Sequence, residues 1–169
     1  MIVEIAAREA ITGLGLIHMS ALQTFVLLLA QRDFLSPTEI CTKYFARGEQ
    51  LSAEEKLSIG VDPAAPLSRA AMHDLDTRGL TMPMQAHALT LARAIATIRR
   101  QRLVAELDAD HSDGAPAIIH VAAHDACPKC AALDGVVTDQ LGAWIFPPDD
   151  CRCAGAFGIE LKALARNTR

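Results

Sequence analysis

The stretch Cys127-Pro128-Lys129-Cys130 is followed, after twenty residues, by Cys151-Arg152-Cys153. These two close pairs use four of the five cysteines in the chain. A tetrahedral metal site is commonly built in this way, because each pair comes from one tight turn and the loop between them brings the pairs face to face. The pattern therefore predicts a crosslink that holds the last third of the chain together.

Zinc bound by four thiolates forms a closed site, with no coordination position left for water. Such a site stabilises the fold directly, by on the order of 10 kcal/mol in small zinc modules. The expected ligands are Cys127, Cys130, Cys151 and Cys153. Two alternatives stay open: a disulfide between the pairs, and a mixed ligand set in which one cysteine is replaced. The candidate replacements are His120, His124, Asp149 and Asp150.

Catalytic uses of these residues fit the pattern poorly. A Cys-x-x-Cys redox motif opens a helix in a βαβ unit, whereas Leu133-Asp134-Gly135 follows the first pair almost at once. A thiolate that binds metal cannot also act as a nucleophile with His124 as its base. The His-x-Glu element of a zinc deaminase is absent from the sequence. We therefore expect a protein that is not an enzyme and has no catalytic residues.

The composition favours a helical core in a reducing compartment. Apolar residues make up 51% of the chain but aromatic residues only 4%, so Ala, Leu, Ile and Val must fill the interior. An odd number of cysteines, without a secretory signal, favours reduced thiols. The net charge of −4 gives no global case for nucleic-acid binding. Locally, one helix carries the candidate nucleic-acid or partner contacts Arg93, Arg99, Arg100 and Arg102, which a solvated helix face would also explain.

Residues 10–31 contain no formally charged side chain, which is about the length of a membrane-spanning helix. Their polar residues fall within one third of the helical wheel, however, and the apolar residues occupy the broad opposite face. This pattern predicts a core helix rather than a membrane span, with a partner-facing helix as the other alternative. His18 is expected on its apolar side as a hydrogen-bonded core histidine.

The first 110 residues are predicted to form a helical body. Its expected elements are a long first helix over 2–32, a helix opened by Ser36-Pro37-Thr38-Glu39 and ending at Gly48, a short helix opened by Ser52, a linker over 61–66, a helix over 67–78 and a last helix over 81–107. His73 and His87 are expected at the surface, and Cys41 as a buried small apolar residue.

The polar stretch 108–114 marks the predicted domain boundary. Beyond it, residues 111–169 contain short apolar segments at 117–121 and 136–137, separated by a turn at Asp134-Gly135. Too few apolar residues are present there to stabilise a fold without a crosslink. The predicted class is α+β: a mainly α-helical body over 1–110 and a small zinc-stabilised β module over 111–169.

The order of these motifs resembles a known family. Asp125 ahead of Cys-x-x-Cys, the turn Leu133-Asp134-Gly135, the segment Phe146-Pro147-Pro148 and the final Cys151-Arg152-Cys153 resemble the C-terminal signature of phage minor head (head morphogenesis) proteins, the Mu F-like and SPP1-type family. The resemblance covers about residues 117–158. It implies a small cysteine-bearing module of a virion structural protein that is associated with the portal region and needed for head assembly.

The resemblance leads to the expected function. We expect a structural or assembly protein of a phage-like particle, a minor head or head–tail interface component that assembles in the host cytoplasm with portal or capsid proteins. No membrane partner is expected. The alternative is a cellular zinc-binding adaptor or regulator that contacts nucleic acid through the arginine-bearing helix.

Overall fold

The computed structural model describes residues 1–109, 118–122, 127–132, 134–138 and 159–163. Residues 1–109 form a body that is mostly α-helical, which confirms the predicted α-rich part of the fold. Its helices are α1 (Ile2–Leu14), α2 (Leu22–Leu29), α3 (Pro37–Phe45), α4 (Ala53–Ser58), α5 (Arg69–His73) and α6 (Ala86–Ala109). Two 3-10 turns, Met19–Ala21 and Gly79–Thr81, connect them.

The prediction of one long helix over 2–32 is wrong. Helix α1 ends at Leu14 because Gly15 adopts a left-handed conformation (φ 59°), and its N–H donates to the Ile11 carbonyl oxygen at 2.9 Å. The chain then runs extended, and Ile17 pairs with Leu75 in an isolated antiparallel bridge. Helix α2 starts after this crossing, and α1 packs against both α2 and α6.

The break at Gly15 also divides the uncharged stretch 10–31 between two short helices. In the parts of the chain that the structure describes, no helix combines the length and the apolar character needed to cross a membrane.

Two helix starts follow their capping boxes. The Ser36 hydroxyl accepts a hydrogen bond from the Glu39 N–H at 3.3 Å, and the Ser36 N–H donates to Glu39 Oε2 at 2.8 Å. Ser52 and Glu55 repeat the arrangement at 3.2 and 2.7 Å. Each box satisfies amide groups that a helix start leaves without partners, which is why α3 and α4 begin where the sequence indicates.

The later body helices are shorter than predicted. Helix α5 covers Arg69–His73 rather than 67–78, and α6 starts at Ala86 rather than at Thr81. Gly79 explains the gap between them: a Cβ at this position would overlap the carbonyl oxygen of Leu16, so the chain passes too close to the extended segment for a side chain. Within the expected linker over 61–66, Val61 is buried in the core, whereas residues 62–64 are exposed.

The core lies between α1, α2, α3 and α6. As the composition indicates, it is built mainly from aliphatic side chains and Ala, with few aromatic rings. Cys41 on α3 is 2% exposed, which confirms its prediction as a buried residue. The largest fully buried apolar side chains are Ile11, Ile17, Phe25, Leu29, Ile40, Leu67, Leu91 and Ile98.

The described residues beyond 109 form β1 (Ile118–Ala122), a short helix α7 (Pro128–Ala131), β2 (Val137–Thr138) and β3 (Ile159–Ala163). The strands form one sheet in the order β2-β1-β3, and both pairings are antiparallel. Strand β1 lies at the centre, and β3 approaches α6.

Candidate functional site

The first cysteine pair lies at the start of α7. Cys127 is the N-cap residue in an extended conformation, Pro128 occupies the first helical position, and the Ala131 N–H donates to the Cys127 carbonyl oxygen at 2.9 Å. Cys130 is fully buried and Cys127 is half-buried. Residues three apart on a helical turn are neighbours, so the turn holds the two cysteines close together.

The register of the sheet relates this pair to the second one. Ala122, the last residue of β1, pairs with Ile159, the first residue of β3. The chain therefore leaves β1 toward Cys127 and enters β3 from Cys153 at the same end of the sheet. Neighbouring strands lie about 4.8 Å apart, and five or six residues of chain span at most about 20 Å. The two connections are thus anchored side by side, and their lengths allow both cysteine pairs to reach a common centre.

The structure describes only some of the predicted metal ligands. Cys151, Cys153, His124, Asp149 and Asp150 lie outside the described residues. Within the described residues, no group of three or more His, Cys, Asp or Glu side chains is arranged to hold a metal ion. The donor chemistry of the described pair suits zinc, because thiolates are soft ligands that zinc prefers, and Cys130 is buried while Cys127 is half-buried. The metal site itself stays a prediction.

The four arginines of the last helix do not share one environment. Arg93 is only 8% exposed, and a Cβ at Gly13 of α1 would lie 3.2 Å from its guanidinium, so this arginine packs beneath α1. The solvated helix face expected for Arg93 is wrong, because α1 crosses α6 at this point. Arg99 and Arg102 are exposed, as predicted, and the side chain of Arg100 lies outside the described part.

Exposed arginines of α6 lie beside a cleft that the sequence does not reveal. The cleft, about 310 Å³ in volume, lies between the turn that joins α2 to α3 and one face of α6. Arg102 Nη1 is 4.0 Å from Asp33 Oδ1, and Arg32 Nη2 is 3.8 Å from Asp33 Oδ2. We name this feature the Phe34 cleft; its lining consists of residues 32–37, Ile95 and Arg99.

A buried polar cluster lies elsewhere in the body. The Tyr44 hydroxyl donates to Asp74 Oδ2 at 2.6 Å, and His87 Nε2 lies 3.3 Å from the same oxygen. The His87 ring stacks on Phe25 with 5.6 Å between ring centroids and meets Phe45 edge-on at 5.2 Å. Burial, and then the hydrogen bond to Asp74, raise the pKa of Tyr44.

The histidine predictions are corrected by this cluster. His87, predicted at the surface, is fully buried, because α6 runs through the centre of the body. His18, predicted in the core, has a 51% exposed side chain, because the chain turns at Gly15 before reaching it. His73 is exposed, as predicted. Since His87 is enclosed, it cannot reach a dissolved substrate, and the cluster ties α3, α5 and α6 together.

Comparison with known proteins adds no relative: no family model, no curated protein and no solved structure matches this chain.

Proposed function

We propose that this chain is a non-enzymatic structural or assembly protein of a phage-like particle, a minor head or head–tail interface component. Its C-terminal cysteines hold one zinc ion, and the resulting rigid module contacts portal or capsid proteins. The observation that carries the proposal is the pair of thiol doublets, together with the β1–β3 register that anchors both connecting segments at one end of the sheet.

The zinc contributes stability and no reaction. Four thiolates saturate its coordination sphere, so it activates neither water nor substrate. The zinc compensates for the small number of apolar residues in the C-terminal segment 111–169. A segment with so few core residues gains most of its folding free energy from the metal. A rigid module of this kind is suited to binding a partner protein, since it loses little conformational freedom when the partner binds.

Elemental analysis of protein purified in reductant tests the metal. We expect one equivalent of zinc per chain, lost on substitution Cys151→Ser. Cys41→Ser is the matched control, because Cys41 lies in the core of the helical body and far along the chain from the doublets. Metal-free protein, or zinc retained by Cys151→Ser with unchanged stability, would contradict the proposal.

Particle association tests the virion role. Neighbouring genes for portal, terminase and capsid proteins, and the presence of the chain in purified particles, are the expected results. A chain that is absent from particles produced by its own gene cluster would rule out this function even if zinc binds.

The second candidate is a zinc-binding adaptor or regulator that contacts nucleic acid through α6. The exposure of Arg99 and Arg102 favours it, whereas the burial of Arg93 removes one of the contacts on which it depended. Salt-dependent retention on DNA, lost in Arg99→Ser/Arg100→Ser protein, would support this candidate over the virion role.

A further inference from the structure

We propose that Cys127 and Cys130 form a redox switch: a disulfide closes between these two sulfurs within one turn, and the closed pair cannot hold zinc. The loss of zinc rests on the metal site proposed above, whereas the sulfur chemistry does not need it. This disulfide lies within the first cysteine pair and is distinct from a bond between the two pairs.

The backbone at Cys127 directs its side chain toward Cys130. Cys127 is an N-cap with φ −63° and ψ 159°, and the N-caps Ser36 and Ser52 have nearly the same angles, −68° and 158°, and −65° and 161°. In the first of these capping boxes, the Ser36 hydroxyl lies 2.7 Å from Oε2 of Glu39, the side chain three positions further on. The same backbone geometry places the Cys127 side chain on the side of the turn where Cys130 lies.

The distance across the turn suits a disulfide. Cα atoms three residues apart on a helical turn are separated by roughly 5 Å, and a disulfide joins Cα atoms about 4.4 to 6.8 Å apart. Helix α7 holds this spacing, since the Ala131 N–H donates to the Cys127 carbonyl oxygen at 2.9 Å and the Ala132 N–H to the Pro128 carbonyl oxygen at 3.0 Å. Both cysteines are reduced in the structure. The bond can therefore form without a change of backbone outside this turn.

The two thiols differ in their access to solvent. Cys127 is half-buried, whereas Cys130 is fully buried with 0% of its surface accessible. A dissolved oxidant therefore reaches Cys127 first, and Cys130 reacts only with a sulfur that is already beside it in the turn. An accessible attacking thiol next to a resolving thiol is typical of redox-sensing cysteine pairs.

The oxidant is a disulfide of low molecular weight, such as oxidised glutathione. The Cys127 thiolate attacks one sulfur of that disulfide, which forms a mixed disulfide and expels one thiolate. The Cys130 thiolate then attacks the Cys127 sulfur and expels the second thiolate. The two protons lost by the cysteines are taken up by the two expelled thiolates. One oxidant molecule is thus reduced to two thiols, and the protein dithiol is oxidised to a disulfide.

Zinc and the oxidant compete for the same sulfurs. Thiolates bind zinc, whereas a sulfur in a disulfide carries no negative charge. Closure of the pair removes two of the four proposed ligands, so the metal leaves the site. A reducing cytoplasm therefore keeps the proposed contact module in its zinc-bound, rigid form, and oxidising conditions release the zinc.

Peptide mapping of the full-length chain identifies the bond. The chain is incubated with oxidised glutathione, with and without a chelator, then alkylated and digested after Lys and Arg and before Asp. This digest places Cys127 in peptide 125–129, Cys130 in peptide 130–133 and Cys151 in peptide 150–152. We expect a link between 125–129 and 130–133 that forms faster with the chelator, loss of zinc in parallel with the link, and recovery of both thiols with dithiothreitol.

Two variants test the order of the steps. Cys130→Ser should stop at the mixed disulfide and keep glutathione on Cys127, whereas Cys127→Ser should leave the buried Cys130 unmodified. Cys41→Ser is the control, because Cys41 is 2% exposed within the helical body, and its loss should change neither the link nor the zinc content. Circular dichroism checks the fold of each variant, and the parent chain alone decides the link if a variant does not fold.

Three results would overturn the inference. The first is that peptides 125–129 and 130–133 stay unlinked in zinc-free chain treated with the oxidant. The second is a link from 125–129 to the peptide of Cys151 or Cys153, which would place the bond between the two pairs. The third is glutathione on Cys130 in folded Cys127→Ser protein, which would reverse the order of attack.

The same measurements separate this inference from the proposed metal site. Protein that binds zinc but never forms the link contradicts the redox switch and leaves the metal site in place. Protein that never binds zinc but forms the link contradicts the metal site and the release of zinc, and it supports the sulfur chemistry.

Discussion

At the residue scale, the carboxylate of Asp74 joins three elements of the body. It accepts a hydrogen bond from Tyr44 on α3 and lies beside His87 on α6, while its own backbone carbonyl accepts one from the His18 N–H at 2.8 Å. Its side chain is only 14% exposed, so these partners replace most of its hydration. Buried polar groups whose hydrogen bonds are satisfied hold helices in one arrangement. When one partner is removed, the other stays buried without a hydrogen bond, and its lost hydration destabilises the fold.

Substitution Tyr44→Phe should therefore destabilise the body. It leaves the ring packing intact and removes only the hydroxyl that donates to Asp74 at 2.6 Å. We expect the free energy of unfolding to fall by about 2 kcal/mol, the usual cost of losing a hydrogen bond to a charged group. Urea denaturation measures it. Thr42→Val, which removes an exposed hydroxyl from the same helix, is the control and should change stability by less than about 0.5 kcal/mol.

A buried thiol, Cys41, and a half-buried phenol, Tyr44, predict a loss of stability at alkaline pH. Burial raises the pKa of the Cys41 thiol from 9.0 to about 12, and burial together with Asp74 raises the pKa of Tyr44. Both groups stay neutral in the folded chain and ionise more readily when it unfolds. Their stabilising effect is complete below the unfolded pKa values and declines as the pH rises above about 9, by up to about 1.4 kcal/mol per pH unit for Cys41.

Denaturation curves between pH 7 and about 11 measure this decline. The double variant Cys41→Ala/Tyr44→Phe should show a flatter pH dependence than the parent chain, although it is less stable at neutral pH. Identical slopes for the two proteins would show that other groups cause the alkaline response.

At the element scale, the crossing between residues 15–18 and the α5–α6 connection decides how the helices are arranged. The Ile17–Leu75 bridge and the hydrogen bond from the Asp76 N–H to the Leu16 carbonyl oxygen, at 3.0 Å, hold the two segments together. Gly79 lies against the same carbonyl group. This close backbone contact replaces the helical turns that the sequence pattern predicted on either side.

Gly79→Ala should accordingly lower the free energy of unfolding, because the added Cβ would overlap backbone atoms that cannot rotate away. We expect a loss of about 2 to 3 kcal/mol, measured by thermal or urea unfolding. Gly48→Ala is the matched control: Gly48 has a positive φ of 75° but open space around it, so only about 1 kcal/mol of backbone strain is expected. A Gly79→Ala variant that is as stable as the parent chain would mean that the close approach contributes nothing.

At the scale of the whole molecule, the chain combines a body with its own core and a small sheet whose connections carry cysteines. The buried residues of the core cluster all belong to the first 98 positions, so the body does not depend on the thiols for its packing among the described residues. The proposed metal would act on the C-terminal part alone.

Removal of zinc should thus destabilise the C-terminal sheet and leave the helical body folded. With a chelator, we expect the backbone amides of β1, β2 and β3 to lose protection from hydrogen exchange, while the amides of α1, α2 and α6 keep theirs. Unfolding of the helical body together with the sheet, or unchanged protection throughout the chain, would contradict this division. Re-addition of zinc should restore protection of the strands.

The amino-acid sequence determined where two helices start and what kind of core the body has. The capping boxes at Ser36 and Ser52 placed two helix starts, and the poor aromatic content predicted an aliphatic helical core, because both depend on neighbouring residues or on bulk composition. The spacing of the cysteines predicts the metal ligands, and that prediction rests on the sequence alone.

Tertiary structure alone decided which polar residues are enclosed. Positions 86–88 and 90–95 of α6 are all buried, including His87 and Arg93, because other helices cover this segment on nearly every side. A periodic pattern reports which face of a helix is apolar, but it cannot report how many neighbours surround that helix. The Phe34 cleft has the same origin, since residues more than sixty positions apart meet there only after the chain has folded.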